Sequence, residues 1–168
     1  MWFGTSVFGA CRFDGQTVKW MYEDDLTYVP NGGTFGIRSI FEDKEGSFWI
    51  CNTWHKYIFF FFLTAKSDIL QYRKTDGIGN EKIFDGDKYV YYSHIVEDNK
   101  GNIWLTTWSQ GVYKYDGKTI TNYKVIEDKK EVNLISMYKD KQGHLWLGTP
   151  DNGVFKFNGD TFEKYIPK

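Results

Sequence analysis

The stretch that decides the fold is DKQGHLWLGT, residues 140–149. It recurs as DNKGNIWLTT at 98–107 and as DKEGSFWICN at 43–52, and its second half recurs as WFGT at 2–5. In each complete copy an Asp is followed by Gly three residues on and by Trp three residues further. Self-similarity at a period of roughly 40 to 45 residues indicates a series of equivalent supersecondary units.

Each unit predicts four short antiparallel strands, because apolar and polar residues alternate over runs that are rich in aromatic and β-branched types. The Asp-x-x-Gly segment favours a type I turn after the first strand. Asp-Gly or Asn-Gly favours a two-residue hairpin after the third strand. The sequence places first strands at 37–42, 92–97 and 134–139, a third strand at 112–115, and fourth strands at 119–123 and 161–165.

Four antiparallel strands with a Trp in each unit are typical of a β-propeller blade. The prediction is an all-β chain, a single β-propeller region over 1–168 with blades at about 1–29 (partial), 35–75 (with an insertion), 90–124 and 132–168. Trp49, Trp104 and Trp146 are expected to fill the core rather than to stack on a ligand. Because the first blade begins at its second strand, we expect an incomplete arc of about four blades, part of a larger ring or a truncated product.

The second copy departs from the others after Asn52. Roughly a dozen extra residues enter between Trp54 and Ile69, including the apolar run from Tyr57 to Leu63. Seven apolar residues are too few to span a bilayer, which needs about 20. The run is interpreted as an insertion that packs internally, with a lid that contacts a partner as the alternative.

Charge and composition exclude several classes of partner. The 21 basic residues balance 22 acidic ones, so that neither nucleic acid nor an anionic membrane is expected to bind. Cys11 and Cys51 lie in different types of strand and are expected to be reduced and buried. No signal peptide and no membrane span are visible in the chain.

The repeat resembles the two-component regulator propeller repeat, whose units read Asp-x-x-Gly-x-φ-Trp-φ-Gly-Thr followed by Gly-φ-x-x-φ-Asp-Gly. Residues 140–159 match almost throughout, with Asn158 in place of Asp; residues 98–117 match with Thr106 in place of Gly; residues 2–15 match with Ala10 and Cys11 as departures. In that family such propellers form the sensory, periplasmic part of histidine kinases or stand alone as exported proteins. The resemblance therefore implies a non-enzymatic sensor at a periplasmic or extracellular location, although the chain carries no kinase segment.

The loops between second and third strands share one end of the blades with the connections between blades, and this end is the expected binding face. Its loops differ between copies whereas the strands agree, as expected of variable loops on a rigid scaffold. Aromatic, amide and acid groups there suit a glycan or peptide ligand, and plain surface loops are the alternative. The candidate residues are Trp54, His55, Trp108, Gln110, Asp151 and Asn152.

The sequence offers little for catalysis, so we expect no catalytic residue, no metal and no cofactor. The three histidines are scattered, and no metal-ligand spacing or phosphate loop is present. One alternative function is that of a streptogramin-lyase-like propeller, with His94 and His55 as the acid or base. Another is a structural module that self-associates, or whose ring is completed by missing blades.

Overall fold

The computed structural model describes residues 1–22, 26, 36–51, 55–60, 70–78, 84–85, 88–89 and 92–167. At 55–56, 59–60, 76, 84–85 and 88–89 it describes the backbone alone. The chain is all-β, as predicted, and divides into two compact units, Met1–Ile83 and Phe84–Lys168.

The described residues of unit one form two antiparallel sheets. Its strands are β1 (Trp2–Gly4), β2 (Ala10–Phe13), β3 (Val18–Met21), β4 (Ile40–Glu42), β5 (Phe48–Ile50), β6 (His55–Phe60) and β7 (Gln71–Asp76). The sheets are β1-β2-β3 and β4-β5-β6-β7, which we name blades one and two. Strands that follow each other in the chain pair with each other, so each blade is a meander.

Unit two contains two four-stranded meanders and two short ribbons. Its strands are β8 (Phe84–Asp85), β9 (Lys88–Tyr89), β10 (Tyr92–Glu97), β11 (Ile103–Thr107), β12 (Val112–Tyr115), β13 (Ile120–Tyr123), β14 (Ile126–Glu127), β15 (Lys130–Glu131), β16 (Ser136–Lys139), β17 (Leu145–Gly148), β18 (Val154–Phe157) and β19 (Phe162–Lys164). Blade three is β10-β11-β12-β13, and blade four is β16-β17-β18-β19. The predicted four-stranded antiparallel unit is confirmed, whereas the ribbons β8-β9 and β14-β15 were not predicted.

The structure places the extra residues of blade two in the hairpin between its third and fourth strands. Tyr57, where the apolar run begins, belongs to the regular third strand, because it pairs with Phe48 as Tyr115 pairs with Ile103. Ile58, Phe59 and Phe60 extend β6 beyond this point and pair with residues 71–73 of β7. Lys56 pairs with Thr75, whereas the equivalent Lys114 pairs with Thr121, so the hairpin between third and fourth strands is longer by twelve residues. Residues 61–69 at its tip, which include Leu63, lie outside the described part of the chain.

The turn after each first strand is fastened to the motif Trp. In blade three, Asp98 Oδ1 accepts hydrogen bonds from the backbone of Lys100 and Asn102, each at 2.9 Å. Its Oδ2 accepts from Asn102 Nδ2 at 2.7 Å and from Trp104 Nε1 at 2.8 Å. Burial alone would raise the pKa of Asp98, but the hydrogen bonds from Asn102 and Trp104 outweigh it and lower that pKa. The carboxylate therefore joins the turn to the second strand.

The same bond recurs in the other complete copies of the motif. Trp49 Nε1 donates to Asp43 Oδ2 and Trp146 Nε1 donates to Asp140 Oδ2, each at 2.9 Å. The predicted turn itself is confirmed by the bond from Gly101 N to Asp98 O at 3.1 Å, with Gly101 at a φ of 85°. That φ lies in the left-handed region, which explains the Gly of the motif.

The hairpin after the third strand differs in detail from the prediction. Asp116 precedes the two central residues, and only Gly117 has a positive φ, at 94°. The Asp acts through its side chain, because Oδ1 accepts from the backbone of Lys118 at 2.9 Å and of Thr119 at 2.7 Å. Hydrogen bonds from Thr119 and Lys118 lower the pKa of Asp116 to about 2. In blade four Asn158 fills the same place with one oxygen.

Aromatic and aliphatic side chains together form the core of unit two. Trp104 packs edge-on against Phe157 and Phe162, with ring centroids 4.9 and 6.1 Å apart. Trp104 and Trp49 are each 1% exposed, which confirms them as core residues. Trp146 is only half-buried and packs against Tyr165 at 5.1 Å. The prediction of two buried, free cysteines is also confirmed.

Candidate functional site

In blades one, three and four, the loop between the second and third strands is closed by the Thr that ends the repeat motif. Thr107 Oγ1 donates to Gly111 O at 2.8 Å and accepts from Gln110 N at 2.9 Å. Thr149 makes the same pair of bonds with Gly153 and Asn152, at 2.7 and 2.9 Å. Because these bonds fix the ends of the loop, the intervening side chains project from a rigid base.

Two adjacent threonines in blade three give a matched test of this closure. Both are buried, but Thr106 Oγ1 has no hydrogen-bond partner among the described residues, whereas Thr107 Oγ1 has two. Thr107→Val is expected to lower the free energy of unfolding by about 0.5–1.5 kcal/mol, because Gln110 N loses its acceptor and Gly111 O keeps only the bond from Thr107 N. Thr106→Val is expected to leave stability unchanged or to raise it. Urea denaturation of the two variants checks the prediction, and equal losses would contradict it.

Backbone hydrogen bonds bring the loops of blades three and four to one edge of unit two. Leu134 N donates to Trp108 O at 2.8 Å, and the next residue, Ile135, donates its N–H to Gly148 O at 2.9 Å. The connection between the blades therefore borders both loops. We name the surface formed by residues 108–111, 124–135 and 149–153 the loop face of unit two.

The connection contains the ribbon β14-β15, which joins the loop face through its charges. Glu127 accepts from Asn152 Nδ2 at 2.7 Å and from Lys164 Nζ at 2.6 Å, and these bonds lower the pKa of Glu127. The two-residue turn of the ribbon consists of Asp128 and Lys129, and both have positive φ although neither is Gly. The available sequence signal was the cross-strand pairing of Glu127 with Lys130, an opposite-charge pair around a two-residue turn.

Four of the six candidate residues lie on the loop face of unit two. Trp108 is 51% exposed, Asp151 is exposed, and Gln110 and Asn152 are half-buried. Gln110 is held through its backbone, since its O accepts from Asn122 Nδ2 at 2.9 Å. Asn152 is engaged by Glu127, so part of its hydrogen-bonding capacity is already used.

The other two candidates belong to unit one. Trp54 lies outside the described residues. His55 was expected on a variable loop, but it begins the strand β6, where its backbone pairs with Asp76. The expectation was wrong because the loop of blade two ends three residues earlier than its equivalents: Trp49 pairs with Lys56, whereas Trp104 pairs with Lys114.

The remaining histidines do not assemble a site within unit two. His94 lies on β10 beside Ser93, with 3.2 Å between Nδ1 and Oγ, and His144 lies on a turn, with Nδ1 2.9 Å from Asp140 Oδ2. In the described part of the chain, no three or more His, Cys, Asp or Glu side chains form a group that could hold a metal. The convergence of His94 and His55 that the lyase alternative requires stays a prediction, because the side chain of His55 is outside the description.

A groove of about 390 Å³ lies at the opposite end of blades three and four, beside their turns. Its apolar lining includes the rings of Trp104, Tyr123 and Phe157. Its polar lining includes amides, Lys100, Lys114 and Asp98, whose carboxylate already accepts hydrogen bonds from the turn and from Trp104. Neither lysine forms an ion pair with a carboxylate of the described residues. None of the residues predicted from the sequence as candidates lines this groove.

Comparison with known proteins identifies the repeat and the fold. The family model "Two component regulator propeller" matches residues 86–109 and 127–151, which hold the first two strands of blades three and four. No curated protein matches the chain. Within the described residues, no helix has the length and apolar character needed to cross a membrane.

The solved structures similar to the chain include two that are described as the extracellular domain of one B. thetaiotaomicron protein. The first, from a hybrid two-component system, has a TM-score of 0.57 at 16% identity, covering 99% of this chain and 20% of its own. The second, described as a one-component system, has a TM-score of 0.47 at 18% identity, covering 96% and 29%. The chain thus spans about a fifth to a third of the length of these structures. The two-component regulator propeller model thus matches the chain at two sites, and the chain has a β-propeller fold.

Proposed function

We propose that the chain is part of the sensor propeller of an extracellular or periplasmic signalling protein and that the loop face of unit two binds its ligand, a glycan or peptide. The match to the repeat and the similarity to the extracellular domain of a two-component system support the role and the location. The observation that carries the ligand site is the half-exposed Trp108, held on a closed loop beside the polar groups of the neighbouring loop.

Trp108 differs from the Trp residues of the repeat motif in having a free face. Its ring offers a large apolar surface, such as the face of a sugar ring or an apolar peptide side chain requires, together with an N–H donor. The bond from Leu134 N to Trp108 O fixes the backbone below it. Because this loop is already ordered, a ligand pays little conformational entropy to bind it.

Polar side chains near the Trp108 ring can fix the orientation of a bound ligand through hydrogen bonds. Asp151 is exposed and carries a negative charge, and Gln110 and Asn152 carry amides that can both donate and accept. Such a set can recognise hydroxyl groups or peptide amides, which also donate and accept. The mixture of one aromatic surface with several amide and acid groups therefore suits a neutral or weakly cationic ligand.

The test compares Trp108→Ala with Tyr115→Ala, which removes an aromatic ring from β12 at the turn end of the same blade. The purified chain is screened against an array of oligosaccharides and an array of peptides, and each hit is titrated calorimetrically. We expect a hit that Trp108→Ala weakens at least tenfold and Tyr115→Ala does not. A chain that binds neither array, or a hit that Trp108→Ala leaves intact, would overturn the proposal.

A further inference from the structure

The groove beside the turns of blades three and four is formed entirely within unit two and has the size of a ligand site. Its volume of about 390 Å³ lies within the range of about 300–1,000 Å³ that is usual for ligand pockets. Asn99 on the turn of blade three lies so close to Gly143 of blade four that a Cβ atom at Gly143 would clash with the Asn99 amide. The two turns are therefore in direct contact, which fixes the shape of the groove on this side.

The charge of the groove lining is positive. Lys100 lies on the turn of blade three and Lys114 on β12, and neither forms an ion pair with any residue that the structure describes. The single carboxylate of the lining, that of Asp98, already accepts four hydrogen bonds from its turn and from Trp104. Within the described part of the chain, the two ammonium groups are thus left without a counter-charge, which favours an anionic ligand.

Asn158 keeps a second carboxylate out of the groove. Blades one and three have Asp at the equivalent position, Asp14 and Asp116. In all three turns one side-chain oxygen accepts hydrogen bonds from two backbone N–H groups of the turn, so an amide can hold the turn as a carboxylate does. The amide of Asn158 therefore serves the turn and leaves the groove lining positive.

The apolar part of the lining favours a peptide side chain over a sugar ring. Tyr123 and Phe157 are half-buried, and their rings are nearly perpendicular, with an interplanar angle of 89°. The ring of Trp104 lies at 66° to that of Phe157, and Lys114 Nζ lies over it at 5.5 Å. A sugar stacks on one flat, open ring face, whereas an aliphatic side chain fits among rings that meet at angles. An apolar residue flanked by acidic ones therefore matches both parts of the lining.

We propose that the groove binds an acidic peptide segment of another protein, with an apolar side chain among the rings and carboxylates on Lys100 and Lys114. Burial of the apolar side chain supplies affinity, and the complementary charges supply selectivity and a fast encounter. The groove lies at the opposite end of the two blades from the loop face. The chain thus offers a partner protein a site that is separate from the ligand site proposed at Trp108.

A library of pentapeptides, each with an apolar residue flanked by Asp or Glu, tests the proposal. Each peptide carries a fluorophore, and its binding to the purified chain is measured by fluorescence anisotropy. We expect hits that bind more weakly as the salt concentration rises, because salt screens exposed ion pairs. The same peptides with Asn and Gln in place of the acidic residues are expected not to bind.

Asn158→Asp is the most direct variant, because it gives blade four the carboxylate that blades one and three have and keeps the turn. It is expected to weaken each hit about tenfold, since a like charge then faces the acidic peptide. Lys100→Gln and Lys114→Gln are each expected to weaken binding about threefold, the effect of one partly exposed ion pair. Lys141→Gln is the matched control and should bind like the wild type, because Lys141 is exposed on the equivalent turn of blade four but does not line the groove.

Circular dichroism of every variant establishes that it is folded. A library without any hit would overturn the proposal, as would hits that Asn158→Asp or the two lysine variants leave intact. Loss of the hits in Trp108→Ala would also overturn it, because the peptides would then bind the loop face. A chain that binds acidic oligosaccharides, such as oligogalacturonate, and none of the peptides would assign the groove to a sugar instead.

Discussion

Trp104→Ala is expected to lower the free energy of unfolding by about 3–5 kcal/mol, the range found when a large aromatic side chain is deleted from a core. The ring is 1% exposed and contacts Tyr123 of its own blade and Phe157 and Phe162 of the next. Its removal leaves a cavity between two sheets, which strands cannot close without breaking their pairing. Urea denaturation followed by circular dichroism measures the loss, with an unchanged slope showing that stability alone has altered.

Trp146→Ala is the matched control for this prediction. It removes the same side chain from the same position of the repeat motif, but Trp146 is only half-buried. The variant is expected to be clearly more stable than Trp104→Ala. Equal losses in the two variants would show that the hydrogen bond to the turn, which both residues make, and not the packing, determines the effect.

Asp98→Asn is expected to lower the free energy of unfolding by about 1–3 kcal/mol, although the two side chains have the same shape. Asp98 Oδ2 accepts from Trp104 Nε1 and Asn102 Nδ2, and both of these groups are donors only. An amide has one oxygen, so either these donors or the backbone N–H groups would face an NH₂ group. Denaturation at neutral pH measures the cost.

Asp116→Asn is the control, because the turn after the third strand does not require two acceptor oxygens at this position. Asn158 already holds the equivalent turn of blade four, and Thr119, which donates its hydroxyl to Asp116 Oδ2, can also accept a hydrogen bond. Asp116→Asn is therefore expected to keep nearly the stability of the wild type at neutral pH. Losses as large as that of Asp98→Asn would contradict the account of the two turns.

The control also changes how stability depends on pH. Hydrogen bonds from Thr119 and Lys118 lower the pKa of Asp116 to about 2, below its unfolded value of about 3.9. The stability that Asp116 contributes is thus complete above its unfolded pKa and is lost as the pH falls towards 2. The fall in stability over this window is expected to be shallower in Asp116→Asn.

The strands and turns of the repeat could be predicted because their causes are local. Asp98, Gly101 and Trp104 lie within seven residues, and the bonds that join them are made within that span. The start of β6 in blade two was not predicted, because the sequence there lacks the Gly that ends the equivalent loops of the other blades. The ribbon β14-β15 was not predicted, because its turn has positive φ at Asp128 and Lys129 and contains no Gly that would indicate it.

The loops that form the candidate site could be predicted from the sequence, but the contacts between their residues could not. The bond from Leu134 to Trp108 and that from Asn152 to Glu127 join residues 26 and 25 positions apart, and no pattern in the sequence pairs them. The topology of a meander predicts which loops share an end. It does not predict which side chains satisfy one another and which, like Trp108, stay available.

In blades one, three and four, the bonds between Thr and Gly fix the two ends of the loop and leave the residues between them free to vary in sequence. Thr107 to Gly111 and Thr149 to Gly153 each enclose a tripeptide, residues 108–110 and 150–152, and Thr5 to Gly9 encloses residues 6–8 in the same way. Each tripeptide is held between the same two hydrogen-bonded residues, Thr and Gly. Because the closing bonds use only the Thr hydroxyl and backbone atoms, we expect new tripeptides at these positions to leave the strands unchanged, so that a library at three positions in each of these blades would diversify the loop surface.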